Sequence, residues 1–163
     1  MSLEKKQYDS EDLLQLVSFN IDNEEFGIDI LKVEEIIRVI SITKIPNAPD
    51  FIEGVINLRG KVIPVIDLRT RLNKIRKAHD NNTRVIVVEV SGKTVGFLVD
   101  SVKEVLRIPK NITEPPPSLV SGVNSEYITA IGKLEDRLLI LLDLEKVLDY
   151  RQKEELSQIN NYE

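Results

Sequence analysis

The chain has 163 residues, a net charge of −5, no cysteine and 42% hydrophobic residues. These values are typical of a folded unit that buries about 70% of its unfolded surface. Lacking cysteine, the chain forms neither disulfides nor thiolate metal sites, and its negative charge argues against nucleic acid as a partner. Residues 1–12 are polar and acidic, so we expect a flexible segment there rather than a signal peptide. No apolar run approaches the ~20 residues that span a bilayer.

The first half of the chain predicts two β-hairpins followed by a short helix. Residues 13–30 contain two β-rich runs joined by a polar turn over Asp22–Glu25, which predicts the first hairpin. A proline-bearing stretch at 45–49 predicts an extended loop. Residues 54–66 predict a second hairpin, and the aspartate that follows is a favoured helix N-cap, so a short helix is expected over 68–72.

The second half predicts the same elements in the same order. Residues 84–99 predict a hairpin, the prolines at 115–117 predict an extended loop, and residues 128–142 predict a second hairpin. Asp143 is again a favoured N-cap, so a helix is expected from residue 144 to 150 or beyond.

The two halves also match position by position. Early matches, such as Gly27 with Gly96, share one offset in residue number, which we call the first offset. Later matches, such as Leu68 with Leu144, share a larger one, the second offset. A single change of offset is what a duplicated unit with one insertion between its hairpins would show.

Several predicted strands are apolar on both faces, and this property predicts the fold class. Short strands with few helices favour an all-β fold of two small barrels. Runs such as Val85–Val88 and Leu138–Leu142 have no polar position. One face of such a strand would fill its own barrel, and the other must be covered by the second barrel and by a partner.

We therefore expect a single domain over residues 13–150. Its first barrel would span about 13–75 and its second about 83–145, with exchange of segments possible. A polar C-terminal tail over 151–163 is expected to fray.

The sequence contains no recognised catalytic motif. Its one histidine, His79, lies in a predicted loop, and a zinc site would need further nitrogen or sulfur ligands. There is neither a glycine-rich phosphate loop nor a nucleophile elbow. Paired carboxylates at Glu24-Glu25 or Glu34-Glu35 leave an acid–base enzyme as an alternative, although a turn and a polar face explain both pairs. We expect no catalytic residue, no metal and no cofactor.

The second hairpin differs between the halves at its turn. The turn reads Arg59-Gly60 in the first half and Glu135-Asp136 in the second, so the turn itself does not require arginine. The five donors of arginine suit a carboxylate, and Glu35 is a candidate partner; the alternative is an exposed turn residue. Pro64, within the apolar run that follows, predicts an edge strand or a bulge.

Five stretches resemble the CheW-like family of bacterial chemotaxis coupling proteins, and together they span most of residues 13–150. The stretches are Glu25–Ile36, Pro49–Gly60, Val62–Leu68, Val95–Asp100 and Arg137–Leu144. The resemblance implies two five-stranded SH3-like barrels that share a hydrophobic core.

The resemblance also implies an adaptor that bridges the cytoplasmic tip of chemoreceptors to the regulatory domain of the histidine kinase CheA. By position in the family, the kinase-facing residues would be Val17, Ile30 and Val33. The receptor-binding residues would be Glu35, Arg59, Gly60, Val102 and Val105. For the valines, ordinary core packing is the alternative. The resemblance further implies a cytoplasmic protein, monomeric when free, recruited to the inner face of the membrane through receptor arrays without inserting into it.

Three other functions remain open at this point. A scaffold of the same fold could serve a receptor–kinase system outside chemotaxis. A carboxylate enzyme would need a deep polar cleft with two facing acids. A nucleic-acid-binding barrel would use exposed aromatics, but the chain has only eight aromatic residues and a negative charge.

Overall fold

The computed structural model describes residues 13–117 and 126–159, and within them it contains eleven strands and three α-helices. The strands are β1 Leu13–Ile21, β2 Glu24–Asp29, β3 Val33–Arg38, β4 Ile52–Leu58, β5 Lys61–Asp67, β6 Arg84–Val90, β7 Lys93–Val99, β8 Ser101–Pro109, β9 Thr113–Glu114, β10 Ile128–Lys133 and β11 Leu138–Leu142. The helices are α1 Leu68–Arg71, α2 Leu144–Val147 and α3 Tyr150–Ile159, and two 3-10 turns lie at Ile30–Lys32 and Lys110–Ile112.

The strands form two sheets, and each sheet takes strands from both halves of the chain. The first sheet, here barrel one, has the order β8-β1-β2-β11-β10-β9, and the second, barrel two, has the order β3-β6-β7-β5-β4. The first hairpin of each half is thus inserted among the strands of the other half. The exchange of segments is reciprocal, so neither 13–75 nor 83–145 corresponds to one sheet.

Each sheet is curled so that the chain itself connects its two outer strands. In barrel one, β8 continues through the turn Lys110–Ile112 into β9, which pairs with β10. In barrel two, the segment after β3 reaches Thr43, whose backbone exchanges two 2.8 Å hydrogen bonds with Val55 of β4. The predicted all-β fold of two intertwined barrels with short helices is therefore confirmed, with the two-residue β9 as a sixth strand in barrel one.

The duplication is visible in the irregularities of the strands as well as in their order. The β3–β6 ladder skips Glu34, and the β1–β8 ladder skips Lys103, its equivalent at the first offset. The β4–β5 ladder skips Glu53, and the β10–β11 ladder skips Thr129, its equivalent at the second offset. The two offsets found in the sequence are thus the offsets of equivalent β-bulges.

The buried side chains form one shared core and a smaller core inside each barrel. On β6, Val85 and Val87 pack inside barrel two, while Ile86 and Val88 point into the shared core. Strand β11 divides in the same way, with Leu139 inside barrel one and Leu142 in the shared core. The apolar side chains on both faces of these strands are therefore buried largely inside the two barrels and in the core that the barrels share.

The segment after Tyr150 does not fray over residues 151–159, and that prediction is wrong. Asp149 and Gln152 form a reciprocal cap, because each backbone N–H donates to the other side chain at 2.9 and 2.8 Å. Leu156 is only 1% exposed and belongs to the shared core. Residues 1–12 and 160–163, also predicted to be mobile, lie outside the described residues.

Pro64 lies in β5, between β4 and β7, and the bulge of the β4–β5 ladder is at Glu53 of β4, so the predicted edge strand or bulge at Pro64 is also wrong. The strand accepts proline because its parallel ladder with β7 begins only at Val65. The missing proline N–H therefore removes no pairing from that ladder.

We predict that Gly54→Ala destabilises the protein. Gly54 has φ of 155°, and a β-carbon there would lie 2.4 Å from the backbone oxygen of Thr43, at the closure of barrel two. The equivalent residue of barrel one is Ala130, where this closure contact is replaced by β9. The expected loss is roughly 1–3 kcal/mol of unfolding free energy, measured by urea denaturation. Gly132→Ala, whose nearest new neighbour is a side-chain methyl at 3.4 Å, is the control, and an equal loss in both variants would contradict the prediction.

Candidate protein-binding site

Arg59 occupies the turn between β4 and β5 in a conformation unusual for a non-glycine residue. Its φ is 53° and that of Gly60 is 88°, so both turn residues are left-handed, as in a type I′ hairpin. Asn57 supports the turn by accepting a 2.8 Å hydrogen bond from the Gly60 N–H. The turn therefore presents the Arg59 side chain at an exposed hairpin tip of barrel two.

The predicted pairing of Arg59 with Glu35 is confirmed. Arg59 Nη1 lies 3.3 Å from Glu35 Oε2, and Nη2 contacts Oε1 as well, which makes the pair bidentate. The hydrogen bonds and charge of Glu35 raise the pKa of Arg59. Arg59 is still 71% exposed, so the pair orients the guanidinium and leaves it accessible to a partner.

The equivalent acid in barrel one, Glu104, is also paired with an arginine, but in a different setting. Arg137 Nη2 lies 3.2 Å from Glu104 Oε2, while its Nε donates to Glu25 Oε1 at 2.6 Å. Lys103 adds a contact of 3.3 Å to the same Glu25 oxygen. Barrel one thus holds its arginine against a buried carboxylate, whereas barrel two presents it at an exposed tip.

Glu25 is a buried charge that the sequence did not reveal. Its carboxyl group would have a raised pKa from burial alone, but the hydrogen bonds from Arg137 and Lys103 lower that pKa below its ordinary value. The sequence placed Glu25 in a polar turn, whereas the turn is limited to residues 22–23 and Glu25 lies within β2. Whether the side chain of Glu25 is buried therefore depends on the residue at which the turn ends and the strand begins.

The adjacent carboxylates do not form an acid–base pair. Glu24 contacts Lys74, while Glu25 points to Arg137. Glu35 is bound to Arg59, and its neighbour Glu34 is exposed on the bulge. The two acids of each pair therefore have different partners, whereas an acid–base mechanism needs two acids that face one substrate.

Within residues 13–117 and 126–159, no group of three or more His, Asp or Glu side chains is placed to hold a metal ion.

Most of the apolar residues proposed for binding lie at the shared core. Val17 is 2% exposed and part of that core, so core packing describes its side chain. Ile30, Val33 and Val102 are half-buried and pack against the same core. Val105 pairs with Val17 across the β1–β8 ladder but is 56% exposed. The structure brings Glu35, Arg59 and Gly60 together in barrel two and places Val102 and Val105 on β8 of barrel one.

Leu31 is an exposed apolar residue that the sequence analysis missed. It lies on the 3-10 turn between β2 and β3, where its N–H donates to Asp29 Oδ1 at 2.9 Å, and it is 87% exposed. It borders a groove of about 810 Å³ whose apolar lining includes Leu14, Leu16 and Leu141. From the sequence alone, the apolar residues Ile30, Leu31 and Val33 are indistinguishable, so the sequence does not show that Leu31 is the one exposed to solvent.

These features define a protein-binding scaffold, with exposed apolar and ionic side chains held on turns of a double barrel. None of the described helices is long and apolar enough to cross a bilayer.

Comparison with known proteins gives the same class. Residues 15–152 match the CheW-like domain. The chain is 42% identical to the chemotaxis protein CheW of Klebsiella aerogenes, over 90% of this chain and 87% of that protein. It is 37% identical to the CheW protein of Helicobacter pylori, over 88% of this chain and 86% of that protein. The crystal structure of the scaffolding protein TtCheW from Thermoanaerobacter tengcongensis superposes with a TM-score of 0.79 at 40% identity, covering 86% of this chain and 96% of that one.

The chain belongs to the CheW-like family. Its role is that of a chemotaxis scaffold, a coupling protein rather than an enzyme.

We predict that Glu25→Gln flattens the acid dependence of stability. Because the folded pKa of Glu25 lies below its ordinary value of 4.5, the charged carboxylate stabilises the fold above about pH 4.5. That stabilisation is lost as the pH falls through the folded pKa. The unfolding free energy of the variant should therefore be lower at neutral pH and should fall less on acidification, as measured by urea denaturation at several pH values.

Glu154→Gln, on the exposed side of α3, is the control and should keep the pH dependence of the unchanged protein. If Glu25→Gln also keeps that dependence, the buried carboxylate does not carry the acid sensitivity.

Proposed function

We propose that the chain couples the cytoplasmic tip of chemoreceptors to the regulatory domain of the histidine kinase CheA. The observation that carries this proposal is the presence of two separate exposed features, Leu31 beside its groove and the Arg59–Glu35 pair. An adaptor must bind two partners at once, and two sites on different turns of one folded unit allow this.

The kinase-facing site is proposed around the 3-10 turn Ile30–Lys32. Leu31 supplies an exposed apolar side chain, and Ile30 and Val33 flank it from half-buried positions. A leucine projecting beside an apolar groove fits the central contact of a protein interface. Val17, being buried, would act by supporting this surface from the core.

The receptor-binding site is proposed to include the hairpin tip at Arg59 and Gly60 and the exposed Val105 of β8. A receptor tip made of helices would dock by its apolar face, with Arg59 reaching a carboxylate or carbonyl of the partner. Glu35 fixes the direction of the guanidinium, which reduces the entropy lost on binding. Val102 would support Val105 from its half-buried position.

The mechanism of coupling is proposed to be positional. The chain would be cytoplasmic, monomeric when free, and recruited to the inner face of the membrane by receptor arrays. In such arrays modest individual contacts suffice, because linked sites raise the effective concentration of each partner. The adaptor can pass on a signal only if it has different affinities for the two signalling states.

The direct test is co-purification with a receptor cytoplasmic fragment and with the kinase, each alone and both together. A ternary complex is the expected result. Failure to bind either partner would exclude the proposal, and binding to a receptor–kinase pair from outside chemotaxis alone would favour the same-fold scaffold of another system.

We predict that Leu31→Asp weakens kinase binding at least about tenfold, because a charge would have to be buried at the centre of the interface. Receptor binding should be unchanged. Ile75→Asp is the matched control, since Ile75 is equally exposed at 86% but lies in the connection between the two halves. Isothermal titration with the kinase regulatory domain provides the measurement, and equal affinities for the two variants would argue against a kinase site at Leu31.

We predict that Arg59→Ala keeps the fold and weakens receptor binding. Arg59→Lys should bind with intermediate affinity, because lysine keeps the charge but cannot form the bidentate pair with Glu35. Arg151→Ala, on the exposed surface of α3, is the control. Binding to a receptor fragment and the melting temperature are measured together. Unfolding of Arg59→Ala would show that the residue is structural instead.

A further inference from the structure

The chain passes between the barrels at two places, which we call crossovers. At the first, the turn Ile30–Lys32 connects β2 of barrel one to β3 of barrel two. At the second, the single residue Asp100 connects β7 of barrel two to β8 of barrel one. The two crossovers are equivalent in the duplication, since Leu31 and Asp100 are related by the first offset.

One buried arginine forms hydrogen bonds and ion pairs at the second crossover. Arg69 Nη1 lies 2.7 Å from Asp100 Oδ2, and its Nη2 lies 2.8 Å from Asp22 Oδ1. Its Nε donates to the backbone oxygen of Ile75 at 2.7 Å. The Arg69 side chain is 10% exposed, so these contacts are little screened by water.

The partners of Arg69 belong to different parts of the fold. Arg69 lies on α1, directly after β5 of barrel two, and Asp22 lies in the β1–β2 turn of barrel one. Asp100 also accepts a 2.8 Å hydrogen bond from the Asp22 N–H and donates its own N–H to the oxygen of Asn20 at 3.1 Å. One guanidinium therefore holds both barrels and the crossover between them.

Hydrogen bonds favour the charged forms of Arg69 and Asp22. Burial opposes the charge of Arg69, but its hydrogen bonds to Asp22 and Asp100 outweigh burial and raise the pKa. The hydrogen bond from Arg69 lowers the pKa of Asp22. Lys74, 3.7 Å from Asp22, adds a further positive charge on the same side.

The first crossover has different residues at the equivalent positions. The equivalents of Arg69, Asp22 and Asp100 are Glu145, Ser91 and Leu31. Glu145 accepts hydrogen bonds of 3.1 Å from the N–H and the hydroxyl of Ser91, which joins α2 of barrel one to the β6–β7 turn of barrel two. Leu31, in contrast to Asp100, projects outward beside the groove that Glu145 also lines.

We propose that Arg69 is a positioning residue that fixes the orientation of the two barrels, and that the crossover at Leu31 is the side on which that orientation can vary. Three directed hydrogen bonds from one planar group resist rotation about every axis through it. Relative motion of the barrels then pivots about the Arg69 cluster (Arg69, Asp22 and Asp100) and is largest at the crossover that contains Leu31. This role concerns the free chain and goes beyond the proposed coupling function.

The absence of cysteine from the chain makes the orientation directly measurable. Cysteines introduced at Arg107 of β8 and Arg38 of β3, equivalent exposed positions of the two barrels, carry spin labels whose distance distribution is recorded by double electron–electron resonance. In the otherwise unchanged chain a narrow distribution is expected. Arg69→Met should broaden or shift it, and Arg69→Lys should give an intermediate width because an ammonium cannot reproduce the planar fork.

Arg76→Met is the matched control, because Arg76 pairs with Glu53 of β4 and forms no hydrogen bond or ion pair with Arg69, Asp22 or Asp100 among the described residues. A folded Arg69→Met chain with the control's distance distribution would overturn the proposal. If Arg69→Met does not fold by circular dichroism, Asp22→Asn decides, since it removes one charge of the cluster and keeps an acceptor. A broadened distribution in Asp22→Asn supports the pivot, and an unchanged one refutes it.

Discussion

The structure depends on strands whose two faces are both apolar. A run such as Val85–Val88 cannot be satisfied by one small barrel, because one face fills that barrel and the other would remain in water. The reciprocal exchange of hairpins meets this constraint by building a third core between the barrels. Phe19 and Phe26 of one hairpin, with ring centroids 5.7 Å apart, lie in this shared core together with Phe97 of the other. The barrels are therefore parts of one cooperative unit rather than separable domains.

This use of the strand faces leaves turns and crossovers as the places where binding groups can project. Arg59 is on a two-residue turn and Leu31 on a 3-10 turn. Each turn is held by a local hydrogen bond to a side-chain oxygen: Asn57 accepts from the Gly60 N–H, and Asp29 accepts from the Leu31 N–H. Each exposed side chain is thus anchored to a rigid sheet within a few bonds. Rigid presentation lowers the entropy lost on binding, which suits a scaffold whose task is to fix the geometry of its partners.

Much of this arrangement could be predicted from the sequence, and the remainder follows from packing that has no local signal. The order of the hairpins and short helices and the duplication depend on periodicity and on turn residues, which are local, but strands β3 and β8 were not predicted. The pairing of Arg59 with Glu35, which are 24 residues apart, was predicted from the donors of an arginine at a turn that does not require it. The burial of Val17 and the exposure of Leu31 depend on which face of a strand or turn meets the second barrel. The sequence predicts a helix to residue 150 or beyond but also a polar tail that frays from residue 151, although Asp149 and Gln152 have the spacing of a cap for the separate helix that contains Leu156.

The two halves diverge where equivalent residues meet different neighbours. Duplication alone would produce two identical crossovers. At the second crossover Arg69 pairs with Asp22 and Asp100, whereas the equivalent residues at the first crossover are Glu145, Ser91 and Leu31. Burying Arg69 and Asp100 is tolerated only because each of these charges finds a partner of opposite sign. Leu31 has no such partner and remains exposed, so its burial free energy is available to a second protein. A symmetric scaffold can in this way stay closed on one side and offer an apolar side chain on the other.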